Sequence, residues 1–110
     1  MMDDLSAKRC VPCEGGTKPL SGEKISAYQP KVPEWAVSED ELFISRDFRF
    51  KDFKEAIAFV NEVADIAEFE GHHPDMSVHG YRSVRVTLST HAIKGLSEND
   101  FILAAKIDKI

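Results

Sequence analysis

Between Trp35 and Ile110 the spacing of apolar residues alternates between a period of two and the helical period, and a turn or capping residue marks each change. Trp35-Ala36-Val37 and then Leu42, Ile44, Phe48 and Phe50 fall at strand spacing around a turn at Ser38 to Asp40, which predicts a β-hairpin. Arg46 occupies the apolar parity of its second strand, so that face is expected to be only partly buried or to lie near an edge. Asp52 then offers a helix cap, with Glu55 placed as in a capping box, and Phe53, Ile57, Val60, Ala64 and Ala67 follow at helical spacing. Phe59, Val63 and Ile66 widen the stripe, as suits a helix lying across a sheet, and Gly71 fits the left-handed position just past the helix end. Met76 to His79 and Ser83 to Thr90 form a second hairpin about Gly80, with Val84, Val86, Leu88 and Thr90 on one face and Arg85, Thr87, Ser89 and His91 on the other. Ser97-Glu98-Asn99-Asp100 is a capping box ahead of a last amphipathic helix carrying Phe101, Leu103, Ala104, Ile107 and Ile110.

Hairpin, helix, hairpin, helix gives an α+β fold, a two-layer sandwich in which helices pack on one face of a four-stranded antiparallel sheet. The other face stays open, and an open face or edge on so small a chain favours self-association, so a homo-oligomer, dimer or tetramer, is expected. The 110 residues suffice for one hydrophobic core. Residues 1–19, with Gly15-Gly16 and Pro19 and no apolar periodicity, are expected to be a flexible N-terminal arm ahead of a domain spanning 20–110. Ser21 caps a short helix, Leu20 and Ile25 form its hydrophobic staple, and Pro30 and Pro33 stop it.

A net charge of −5 argues against a protein that grips phosphate backbones, so no direct nucleic-acid partner is expected. No apolar run approaches the roughly 18 to 20 residues that cross a bilayer, and the start of the chain has no leader pattern, so a cytoplasmic protein away from membranes is expected. Cys10-x-x-Cys13 is half of a zinc ribbon without its second half and reads as a surface thiol pair, with weak metal or redox chemistry as the alternative.

Three of the four histidines lie where irregular backbone meets regular structure: His72 and His73 beyond the long helix, and His91 at the end of the last strand. A histidine beside a turn is more often solvated or capping, and His79 on the hairpin arm is read that way. His-His-Pro followed by a strand ending in Ser-Thr-His is a joint pattern suited to acid–base chemistry, since imidazole exchanges protons near neutral pH and Pro74 forces His73 into extended backbone. Paired carboxylates and a nucleophile elbow are both missing, so glycosidase and triad-hydrolase readings lack support. Adjacent histidines lack the spacing of a zinc-protease helix, and no metal is expected.

The segments Glu70-Gly71-His72-His73-Pro74-Asp75, Val84-Arg85-Val86-Thr87-Leu88-Ser89-Thr90-His91 and Gly95-Leu96-Ser97-Glu98-Asn99-Asp100-Phe101 resemble the pterin-4a-carbinolamine dehydratases over about residues 34 to 110. The resemblance implies a lyase that dehydrates 4a-hydroxytetrahydrobiopterin to quinonoid dihydrobiopterin and water, needing no cofactor and recycling pterin beside an aromatic amino-acid hydroxylase. It further implies that His72 and His91 are proton donor and acceptor, in an order left open, and that His73 positions the pterin. Backbone after Pro74 and around Ser89, Thr90, His91 and Ala92 would bind the ring. Two departures stand out: Asp75 to Ser83 is about one residue longer than the family form, and Met76 replaces a common aromatic. Other readings are a dimerisation or coactivator-type binding protein, as one animal member of the family is, and a related pterin enzyme of folate or molybdopterin metabolism.

Overall fold

The computed structural model describes residues 5–10 and 18–110. Its elements are α1 (Gly22–Tyr28), β1 (Ala36–Val37), β2 (Ile44–Arg49), α2 (Phe53–Glu70), β3 (Asp75–His79), β4 (Ser83–Leu88) and α3 (Glu98–Ile107), with short 3-10 turns at Leu5–Ala7, Gln29–Lys31 and His91–Ile93. The strands form one antiparallel sheet in the order β1-β2-β4-β3. This is the expected α+β sandwich.

The register explains which face is covered. Ile44 pairs with Leu88, Arg46 with Val86 and Phe48 with Val84, while Met76 and Val78 of β3 meet Val86 and Val84. Ile44, Val84, Val86 and Leu88 are buried in one core with Phe59 and Val63 of α2 and Phe101, Leu103 and Ile107 of α3. Each fully buried side chain of this size contributes about 1.5 to 3 kcal/mol, so the layer contact is the main stabilising term. The intervening strand positions, Asp47, Arg49, Arg85, Ser77 and His79, are exposed on the other face. Arg46 lies on the inner face because its guanidinium reaches Asp108 Oδ1 just past α3, at 2.6 Å, and lies over the Phe48 ring. The Trp35 indole N–H donates to the same carboxylate oxygen at 2.8 Å, so one acidic group satisfies two inward-facing donors.

The capping residues act as their spacing predicts. Ser21 accepts from Lys24 N–H and Asp52 from Glu55 N–H. Gly71 ends α2 at φ 67°, and the N–H groups of Gly71 and His72 return to Glu68 and Ala67 carbonyls, closing a Schellman turn. Two strand limits differ from the pattern by two residues. β2 starts at Ile44 rather than Leu42 because Ser38 Oγ takes the Leu42 and Phe43 N–H groups into the preceding loop. β4 ends at Leu88, and Thr90 instead forms an isolated bridge to Gly95.

The largest difference concerns the start of the chain. Residues 5–10, expected to belong to a flexible arm, are docked: Leu5 is 3 % exposed and joins the core beside α3. That contact explains why α3 buries Phe101, Ile102, Leu103 and Ala104 in succession, since it is covered on more than one side. Cys13 and the Gly15-Gly16 pair lie outside the described residues. Among the described residues no helix is long and apolar enough to cross a membrane.

Candidate active site

The Schellman turn fixes where His72 leaves α2. Its N–H bonds the Ala67 carbonyl at 3.1 Å, and its side chain, 12 % exposed, places Nε2 2.6 Å from Asp100 Oδ1. Asp100 lies in the first turn of α3 and is fully buried. Its other oxygen, Oδ2, accepts the Ser97 N–H at 3.0 Å and the Thr90 hydroxyl at 2.8 Å, and the Thr90 and Ser97 hydroxyls are 2.7 Å apart. A buried carboxylate without partners would cost several kcal/mol, and these donors satisfy it. They also fix its orientation, so the Asp100 oxygen facing His72 has little freedom. An ionised carboxylate only accepts, so facing it His72 carries its hydrogen on Nε2 and Nδ1 is the nitrogen left for exchange with another molecule.

Asp100 is the residue that sequence reasoning passed over. Its capping-box role, read correctly, was taken as its whole role. The local signal was the shorter Asp at a position where Glu or Gln is usual, which keeps the carboxylate close to the turn.

The histidines nominated from the sequence are arranged unequally. His73 turns away from Asp100: its Nε2 meets Glu68 Oε1 at 2.5 Å, and both side chains are mostly exposed. His91 is exposed and opens the 3-10 turn directly after Thr90, the residue that grips Asp100. Among the described residues no hydrogen bond joins the three rings to one another. His79 lies apart, 3.9 Å from Asp47 on the open face of the sheet. Pro74 and Ser89 are half-buried and Ala92 is exposed around this corner.

Thr90, expected to help bind the ring, is 5 % exposed. Its N–H goes to the Gly95 carbonyl at 2.8 Å, its carbonyl accepts from Ile93 and Gly95, and its hydroxyl serves Asp100 and Ser97. These bonds tie the corner to the buried Asp100 carboxylate. Among the described residues no cluster of three or more His, Cys, Asp or Glu could hold a metal ion.

Against this geometry, the profile of the pterin 4 alpha carbinolamine dehydratase family matches residues 18–110. The chain belongs to that family. A relative from Alkaliphilus metalliredigens is 48% identical over 98% of this chain and 96% of its own length. One from Legionella pneumophila strain Corby is 50% identical over 100% of this chain and 97% of its own. Both bear the name pterin-4-alpha-carbinolamine dehydratase as a provisional one. A crystal structure from Brucella melitensis, described as a transcriptional coactivator/pterin dehydratase, superposes with TM-score 0.77 at 32% identity, over 84% of this chain and 97% of that one. A pterin dehydratase-like protein described as a RuBisCO assembly factor in the alpha-carboxysome gives TM-score 0.59 at 25% identity, over 69% and 87%.

Proposed function

We propose that the protein dehydrates 4a-hydroxytetrahydrobiopterin to quinonoid dihydrobiopterin and water by histidine acid–base catalysis. The reaction breaks the C4a–OH bond and removes a ring N–H proton as the carbon–nitrogen double bond forms, so it needs one group to protonate the leaving oxygen and another to accept the ring proton. His72 and His91 are the proposed pair. His72 works through Nδ1 while Asp100 holds Nε2, an arrangement that orients an imidazole as the carboxylate of a catalytic triad does. His73, exposed and paired with Glu68, positions the pterin. The amide-like edge of the ring is read by backbone after Pro74 and around Ser89, Thr90, His91 and Ala92, and the Thr90 hydroxyl also holds Asp100.

The single observation that carries this reading is the 2.6 Å contact between His72 and a fully buried carboxylate in a chain of this family. A surface histidine has no use for so costly a partner. The test is the dehydration of freshly generated 4a-hydroxytetrahydropterin, followed by ultraviolet absorbance against the spontaneous reaction in buffer. Wild type should exceed buffer, and His72→Ala/His91→Ala should lose about 10²- to 10⁴-fold with its circular dichroism intact, the range for removing a general acid and base. A wild-type rate equal to buffer overturns the reading.

A binding role is the second reading. The Brucella neighbour is described as coactivator and dehydratase together, and α2 of the present chain exposes Phe53 and Phe69. Such a role would use those surfaces and survive loss of His72 and His91. β3 is also an open edge strand, which supports association of chains into a dimer or tetramer.

A further inference from the structure

The acid–base reading leaves a second buried carboxylate unused. Glu70 is the last residue of α2, two positions before His72, and its side chain is 2 % exposed. The negative pole of the helix dipole makes this a poor place for a carboxylate, so its presence requires compensation. Most of that comes from the opposite end of the chain and from α3. Oε1 accepts the Cys10 N–H at 2.8 Å and lies 3.6 Å from Arg9 Nε, and Oε2 lies 3.4 Å from Lys106 Nζ. Lys106 in turn donates to the Ser6 carbonyl at 2.8 Å.

The same segment holds the start of α3. Lys8 pairs with Glu98 at 2.8 Å, and the Cys10 thiol donates to the Asn99 carbonyl at 3.6 Å. Glu98 and Asn99 directly precede Asp100. Residues 5–10 therefore grip α2 just before His72 and α3 just before Asp100, with Leu5 buried as the anchor. None of this segment lies within the 18–110 span that the family profile matches.

We propose that Glu70 is a positioning residue: with the docked Leu5–Cys10 segment it clasps the ends of α2 and α3 together and so sets the His72–Asp100 contact. The proposal rests on reading His72 as a proton-transfer group, and its main readout does not depend on activity. In full-length ¹⁵N-labelled protein, the ring signals of His72, assigned by their loss in His72→Gln, report its bond to Asp100. Glu70→Ala should shift or broaden them, and Glu70→Gln, whose amide oxygen still accepts the Cys10 N–H, should restore most of the wild-type signal. Leu5→Ala, which loosens the segment without touching a charge, should move the signals as Glu70→Ala does and keeps the idea testable if that variant fails to fold. Asp47→Ala, on the open sheet face, should leave them unchanged. In the dehydration assay Glu70→Ala should lower kcat about threefold to thirtyfold, the range for coupling through packed neighbours, with KM little changed. Unaltered His72 signals in folded Glu70→Ala or Leu5→Ala overturn the clasp. Altered signals in a protein whose wild type has no activity would uphold it and overturn the dehydratase reading instead.

Discussion

The seam between the ends of α2 and α3 and the open face of the sheet both carry charged side chains, and they use them in opposite ways. In the seam, Asp100 and Glu70 are out of water and each is met by three groups. On the open face, Asp47 and Arg85 form a two-pronged pair at 2.8 and 3.1 Å, but both are more than half exposed and His79 stands beside them in solvent. Burial makes the difference. A desolvated charge must find its full set of partners and is fixed by them, whereas a solvated one can exchange any partner for water at small cost. The boundary even divides two neighbours in sequence: His72 lies inside it against Asp100, and His73 outside it against Glu68.

If that difference is real, the largest effect belongs to Asp100→Asn. The amide must turn its N–H₂ group either toward the donors Thr90 and Ser97, where buried donors face one another, or toward His72, which can then accept it only by moving its hydrogen from Nε2 to Nδ1. Urea unfolding should show a loss of about 1 to 3 kcal/mol. Dehydration should fall by about 10²- to 10⁴-fold, because the imidazole loses the group that fixes its orientation. An Asp100→Asn protein with wild-type rate would mean that the seam organises the fold alone.

Next in size is a change that leaves every charge in place. Gly95 faces Pro19, and an added Cβ would lie 2.8 Å from the Pro19 Cβ, an atom fixed to the backbone by its ring. Gly95→Ala should cost about 1 to 3 kcal/mol in urea, as overpacking usually does. Because Gly95 also exchanges hydrogen bonds with Thr90, the cost should appear at His72 too, as a lowered dehydration rate.

That coupling shows where sequence reading ends. The hairpins, the long helix, the caps at Ser21 and Asp52 and the left-handed Gly71 are local patterns of period or spacing, so the fold was legible. The place of His72 just past the helix end was legible for the same reason. What lay hidden depends on residues far apart in the chain: Asp100 meeting His72 across 28 positions, Cys10 meeting Glu70 across 60, and Arg46 meeting Asp108 across 62. Such contacts leave no periodic trace. The docked segment was missed because a single buried Leu5 among polar residues has no period to reveal it.

Acid should separate the regions more gently. Burial acts to raise the Glu70 carboxyl, but the Cys10 N–H, Lys106 and Arg9 outweigh it and hold it below its ordinary value of 4.5. A carboxyl lowered in the folded state adds stability that is complete above the unfolded value and is lost as pH falls through the folded one. Wild type should therefore lose urea stability more steeply than Glu70→Gln as pH is taken down from about 4.5, the ordinary value of such a carboxyl. Parallel curves would place Glu70 with the solvated charges.

The smallest effect belongs to the open face, and a null result there is informative. The Arg85 hydrogen bond holds the Asp47 carboxyl below its ordinary value, so the two groups do interact. Yet each is already hydrated, and forming the pair immobilises a long arginine side chain, so the net gain should be slight. Asp47→Ala should change unfolding free energy by no more than about 1 kcal/mol, with the dehydration rate unchanged. The pair has shorter contacts than the ion pairs of Glu70, at 2.8 and 3.1 Å against 3.4 Å from Lys106 and 3.6 Å from Arg9. Were contact distance what matters, Asp47→Ala would cost more than Glu70→Gln; if desolvation decides, the order is reversed, and measuring both at one pH distinguishes the two.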